Sequence, residues 1–158
     1  SINDHDAVVL SSMKLLDTAS YSKPEEINAA YQDVSLSHCK TIKPVAYGCE
    51  MIPVTVTQKK LPNGQEYTQI CYCTCASKAT EGPDSGKARK DRFVLNILKG
   101  DVTPKGRDCD GTSCFTDHNK GYHSFRKYHK ESDSTYIIIV PSSVDDEEAE
   151  KMVKPILL

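Results

Sequence analysis

Cysteine is the residue of this 158-residue chain whose number and spacing call for chemistry. There are seven, Cys39, Cys49, Cys71, Cys73, Cys75, Cys109 and Cys114, and three of them alternate in the stretch Ile70-Cys71-Tyr72-Cys73-Thr74-Cys75. Thiols at this density serve either as disulfide partners, which persist only in oxidising compartments, or as metal ligands. On an extended strand alternate residues point to one face, so Cys71, Cys73 and Cys75 project together while Tyr72 and Thr74 face away. Sulfurs two residues apart on a strand are too distant to bridge one another. Their partners must come from elsewhere, with Cys39 and Cys49 the first candidates. The odd total leaves one thiol free, paired between chains, or separated from its partner by a processing cut.

Metal ligation is the competing chemistry. Cys109, Cys114, His118 and His123 can be written C-x4-C-x3-H-x4-H. In a two-cysteine, two-histidine finger a hairpin and part of a helix separate the ligand pairs, and the gap here is far too short for that. A short disulfide loop from Cys109 to Cys114, with two surface histidines downstream, accounts for the same letters. The expectation is therefore no metal and no cofactor, with all seven cysteines serving as disulfide residues.

A second constellation is the run His118 to Lys130, HNKGYHSFRKYHK, in which Tyr122, Phe125 and Tyr128 recur every third residue among basic side chains. Interleaved aromatics and cations can stack bases and neutralise phosphates. Tyr122, Phe125, Arg126, Lys127, Tyr128 and His129 are the candidate partner-binding residues. A strand or loop whose aromatics cover the core explains the run without a ligand. His123, His129, Arg126 and Glu131 also supply the residue types of a small secreted ribonuclease. No nucleophile elbow, phosphate-binding glycine loop, paired zinc-helix histidines or nucleotide fingerprint accompanies them, so no catalytic residue is assigned.

The elements that must position these residues follow from periodicity. Asp4 to Asp17 carries Val8, Val9, Leu10, Met13, Leu15 and Leu16 at nearly helical spacing. Ser22-Lys23-Pro24-Glu25 resembles a helix N-terminus, with Ile27, Ala30 and Tyr31 as the buried stripe. Met51 to Thr57 reads as a strand with an edge or bulge proline at Pro53, and an Asn63-Gly64 turn returns the chain along Glu66 to Ala76 as a hairpin. Residues 77–90, SKATEGPDSGKARK, read as an exposed joint. Arg92 to Lys99 is a strand, Asp101 to Ser113 an irregular loop, and Thr135 to Val140 a central strand covered on both faces. Ser142-Ser143 and the acids that follow open a last helix, with Met152 and Val153 buried and Pro155 near its stop.

Composition bounds the class. The chain is 38% apolar and 27% charged, has no tryptophan, and offers no apolar run of the roughly 20 residues that span a bilayer. It begins at Ser1 without methionine or an apolar leader core, and the expectation is that any leader is already gone. Net charge is −2, which gives no global attraction to nucleic acid or anionic membrane. The charge is uneven: −2 over residues 1–76, +3 over 77–140 and −3 over 141–158. No Asn-x-Ser/Thr acceptor is present, so secretion rests on the cysteines alone.

Two secreted groups share features with this pattern. The segment from Cys49 through Cys75 has some of the look of cystine-knot cytokines, although their knot normally closes the domain and about half of this chain follows Cys75. The helical start to Val34, the cysteines from Cys39 to Cys75, the polar joint and the second β segment to Val140 together resemble the dual-domain cysteine-rich effectors of plant-pathogenic fungi. That resemblance implies an α+β fold with N-terminal helices and a disulfide-braced antiparallel β region, followed by a β-rich, sandwich- or barrel-like C-terminal part. It implies a cysteine-rich subdomain over 1–80, a linker over 81–90 and a β-rich subdomain with a terminal helix over 91–158. It also implies a secreted, extracellular protein that acts without catalysis, by binding a host or extracellular protein as a virulence factor, avirulence factor or toxin. A small secreted ribonuclease or nucleic-acid binder and a cystine-knot-like signalling ligand stay open as alternatives, as does the oligomeric state.

Overall fold

The computed structural model describes residues 4–18, 21–32, 37–74, 91–102, 115–117 and 121–157. Among these residues, helices α1 (Asp4–Thr18) and α2 (Pro24–Ala30) and a 3-10 turn (Ser37–Thr41) lead into seven strands. These are β1 (Val45–Ala46), β2 (Cys49–Lys60), β3 (Glu66–Thr74), β4 (Arg92–Lys99), β5 (Phe115–Asp117), β6 (Tyr122–His129) and β7 (Ser134–Pro141), and helix α3 (Asp146–Leu157) ends the fold. The strands form one antiparallel, curled sheet in the order β1-β2-β3-β4-β7-β6-β5. The class is mixed α and β, as expected.

Period-two alternation assigns the two faces. Ile70 and Tyr72 of β3, Phe93, Leu95 and Ile97 of β4, Phe125 of β6, and Tyr136, Ile138 and Val140 of β7 share one core with Met152, Val153 and Ile156 of α3. The intervening residues Cys71, Cys73, Val94, Leu98, Tyr122, Ile137 and Ile139 share the other core with Val8, Val9 and Leu16 of α1. Helices therefore cover both faces, which is why every residue of β7 is buried.

The face under α1 carries a polar row. Gln69 is opposite Asn96, Asn96 opposite Ile137, and Ile137 opposite Arg126. Helix α1 meets this row with His5 and Ser12, which fall on its buried stripe with Val8, Val9 and Leu16. Asn96 Nδ2 donates to Ser12 Oγ at 2.8 Å and to the Ile137 carbonyl at 3.0 Å, while Gln69 Nε2 donates to Asn96 Oδ1 at 2.9 Å. Arg126 Nη2 donates to His5 Nδ1. Polar groups buried at these positions need partners, so the row fixes where α1 sits along the sheet.

The β2–β3 hairpin has the expected form. The register shifts between Pro53 and Thr55, placing the proline at a bulge, and Gly64 takes φ +90° in the turn. Two local expectations are corrected. Ser22 does not cap α2: its amide donates to the Val54 carbonyl and its Oγ accepts from the Val56 amide, so this segment pairs with the outer edge of β2, and Lys23 is the N-cap. At α3 the cap is Asp145, whose Oδ1 accepts from the Glu148 amide at 2.9 Å, and the helix continues through Pro155 to Leu157.

The sheet includes strands from both sides of the joint expected at 81–90. Those residues lie outside the described ones, but β3 and β4 on either side pair from Tyr67↔Leu98 to Cys73↔Arg92. Both cores draw side chains from both halves, because a strand with two apolar faces is buried only by joining its sheet to a neighbour. No helix among the described residues is long and apolar enough to cross a membrane.

Candidate functional site

The cysteines come first, because the sequence puts most weight on them. Cys75, Cys109 and Cys114 lie outside the described residues, as does His118. Among the described residues no bridge joins Cys71 or Cys73 to Cys39 or Cys49, and Cys71 is hydrogen-bonded to Cys73. The reason is topological. Cys71 and Cys73 do share a face, but it is the α1 face, whereas Cys39 is buried in the α3 core on the opposite side of the sheet and Cys49 is exposed beside the edge strand β1. Burial pushes the Cys39 thiol up to about 12. The Cys71 thiol is raised well above its ordinary value, first by its hydrogen bond with Cys73 and then by burial. Both are core thiols held protonated, unsuited to nucleophilic or ligating roles.

The basic, aromatic run folds into β6, and strand geometry divides it. Tyr122 (2% exposed), Phe125 (4%) and Arg126 (1%) are buried, so three of the six expected partner-binding residues are core. Their every-third-residue spacing distributes the aromatics over both faces, since a strand alternates with period two. Tyr122 packs in the α1 core and Phe125 in the α3 core. The histidines and arginine of the ribonuclease alternative do not converge either. His123 is buried with Nε2 2.6 Å from the Val144 carbonyl and Nδ1 3.5 Å from Asp146. His129 lies against Tyr136, ring centroids 4.2 Å apart, and Arg126 reaches His5 on the opposite face.

Lys127, Tyr128 and His129 remain, and the fold brings them to a common place. They line a groove of about 640 Å³ with Lys130, Glu131 and Ser132 of the β6–β7 turn, Thr41 and Ile42 after the 3-10 turn, and Pro155 and Ile156 of α3. The turn is fixed from inside. Tyr128 Oη donates to Asp133 Oδ1 at 2.6 Å, the Gly100 amide donates to the Asp133 carbonyl at 2.7 Å, and Asp133 itself takes φ +47°. The Tyr128 phenol is raised in pKa, first because it donates to Asp133. Lys127 and Lys130 with His129 against one carboxylate, Glu131, give the groove a basic character, and Ile42, Pro155 and Ile156 give it an apolar wall.

The chain matches no known protein family, no curated protein and no solved structure.

A second cleft, about 790 Å³, adjoins the groove at Glu131 and Ser132, on the face of the sheet that α3 packs against. Nothing in the sequence pointed to it. Its walls come from the β2–β3 hairpin, the end of β4 and the β6–β7 turn, which only the strand order brings together. Ile42, Pro155 and Ile156 were likewise missed as site residues, being ordinary apolar letters from two distant segments.

Proposed function

We propose that this protein acts by binding, and that the groove bounded by Lys127, Tyr128, His129 and Lys130 takes an acidic segment of a partner protein anchored by an apolar side chain. The observation that carries this reading is that two lysines line the same groove as Ile42, Pro155 and Ile156. Carboxylates steer to the cationic wall, and an aliphatic or aromatic residue gains contact area on the apolar one. Burial of Tyr122 and Phe125 leaves Tyr128 without a ladder of neighbouring aromatics, which favours a peptide over a stacked single strand of nucleic acid.

The proposal includes the secreted role implied by the effector resemblance, with a host or extracellular protein as the partner. Seven cysteines and the helix-then-sheet layout support it. Any covalent braces then involve Cys49, Cys75, Cys109 and Cys114, since Cys39, Cys71 and Cys73 are core thiols.

Fluorescence anisotropy with a labelled peptide alternating Glu and Leu tests the groove. Binding is expected to saturate, to weaken with salt, and to fall at least about tenfold in Lys127→Glu/Lys130→Glu. Equal binding by that variant, or displacement of the peptide by oligouridylate at lower concentration than by unlabelled peptide, rejects the peptide reading. Non-reducing peptide mapping of the protein from culture supernatant tests secretion: seven free thiols there reject it.

A further inference from the structure

We infer that the second cleft, which adjoins the peptide groove, is a binding site for a neutral, polyhydroxylated ligand of the oligosaccharide class. The cleft exists because α3 covers only part of its face of the sheet. Beyond it Thr68 of β3, Ile97 of β4 and Ser134 of β7, all largely buried, form the base of the cleft. Its hydroxyls are engaged within the protein, Thr68 Oγ1 donating to Gln58 Oε1 and Ser134 Oγ to the Ser132 carbonyl, so the base is fixed and recognition falls to the walls. The volume of about 790 Å³ falls within the range of small-molecule sites, roughly 300–1,000 Å³.

The walls decide the ligand class. Gln58 Oε1 accepts from Thr68 Oγ1 at 3.2 Å, which orients the amide and leaves its two N–H groups for a ligand. Gln65 is oriented the opposite way, its Nε2 donating to the Lys99 carbonyl at 2.8 Å and its Oε1 left to accept. Lys99 adds a cationic donor, and Glu131 an anionic acceptor. Donors and acceptors thus line one opening, with both charge signs present. An anion meets Glu131 and a cation meets Lys99, whereas a ring of hydroxyls, each both donor and acceptor, satisfies all four walls at once. Two of those walls are held in place by their own hydrogen bonds, which lowers the ordering entropy a ligand has to offset. The neighbouring groove differs in having two lysines and an apolar wall, so the two openings select different chemistry.

The test uses the full chain, ¹⁵N-labelled, titrated separately with cellotetraose, maltotetraose, mannotetraose and tetra-N-acetylchitotetraose. At least one sugar is expected to shift the side-chain amide signals of Gln58 and Gln65 saturably. Gln65→Ala and Glu131→Ala are each expected to weaken that sugar about tenfold, with the melting temperature unchanged in Glu131→Ala, which is on an exposed turn. Lys127→Glu/Lys130→Glu is expected to leave the sugar shifts intact while abolishing peptide binding, so failure of one reading is distinguishable from failure of the other. The inference is overturned if none of the four sugars moves the two amide signals, or if both wall variants bind as tightly as the parent.

Discussion

Asn96, in the middle of β4, donates from Nδ2 to Ser12 Oγ of α1 at 2.8 Å, across 84 positions of sequence. The contact is the centre of a buried network that includes Gln69 and the Ile137 carbonyl. Asn96→Ala removes an acceptor from Gln69 and a donor from Ser12 inside the core, and is expected to destabilise the protein by about 2–3 kcal/mol. Ser12→Ala is expected to cost about 1 kcal/mol, since Asn96 keeps its bond to Ile137. In a double-mutant cycle by urea denaturation the two changes should be non-additive by at least about 0.5 kcal/mol. Strict additivity would show that α1 is held by its apolar residues alone.

The division of β6 into a buried and an open half gives a second prediction. Arg126→Ala removes a buried side chain and its hydrogen bond to His5 under α1, and should lower stability by about 2 kcal/mol or more. Lys130→Ala, on an exposed turn, should change it by no more than about 0.5 kcal/mol and act on peptide binding instead. Comparable melting curves for the two variants would contradict the burial pattern.

Thiol reactivity should rank by position. In native protein at pH 8, site-resolved mapping of iodoacetamide adducts is expected to find Cys49 modified first, being exposed. Cys39, Cys71 and Cys73 should react only as fast as the protein opens, and all should become equivalent in denaturant. Early labelling of Cys71 in folded protein would mean that α1 does not seal its face.

The same burial sets an alkaline limit. Cys39 is lifted from the ordinary 9.0 to about 12, so in between the folded state keeps a proton that the unfolded chain has released. Its contribution to stability is whole below about pH 9 and is lost as pH rises towards 12, at up to about 1.4 kcal/mol per pH unit. Cys71, Tyr31 and Tyr72 are raised as well and act in the same direction. Chemical denaturation between pH 8.5 and 10.5 should show the decline, and Cys39→Ala should flatten it whatever its effect at pH 7.

The β1–β2 turn carries local strain that can be relieved. Ala46 pairs with Cys49 across a two-residue loop in which Tyr47 has φ +52° and Gly48 φ +78°. Two positive φ values in such a loop suit Asn-Gly, whereas tyrosine at the first position is strained. The Tyr47 amide still donates to Glu148 at 2.6 Å, a bond any residue can make. Tyr47→Asn is therefore expected to raise stability by about 0.5–1 kcal/mol, read as a melting temperature higher by about 1–4 °C.

Much of the local structure follows from short-range pattern alone. The stripe Val8, Val9 and Leu16 made α1, the Asn63-Gly64 pair made a hairpin, and the β-branched run Ile137 to Val140 made a doubly covered central strand. Even the shared facing of Cys71 and Cys73 was legible, because alternation is a property of one strand. What those thiols face was not. Cys39 became the partner of Tyr31 and Tyr72 in the opposite core because β3 lies between β2 and β4, and no feature of residues 39 to 73 states that order.

The candidate site divides along the same line. Spacing in HNKGYHSFRKYHK drew attention to six residues, and a period-two strand then sent Tyr122, Phe125 and Arg126 inward and left Lys127, Tyr128 and His129 on the rim. Local propensity acts through contacts between near neighbours and can be read from them. Strand order and helix docking are chosen by burying both faces of every strand at once, a sum over residues as far apart as Ser12 and Asn96, so the groove, the cleft and the faces of the cysteines emerged only when the whole sheet was assembled.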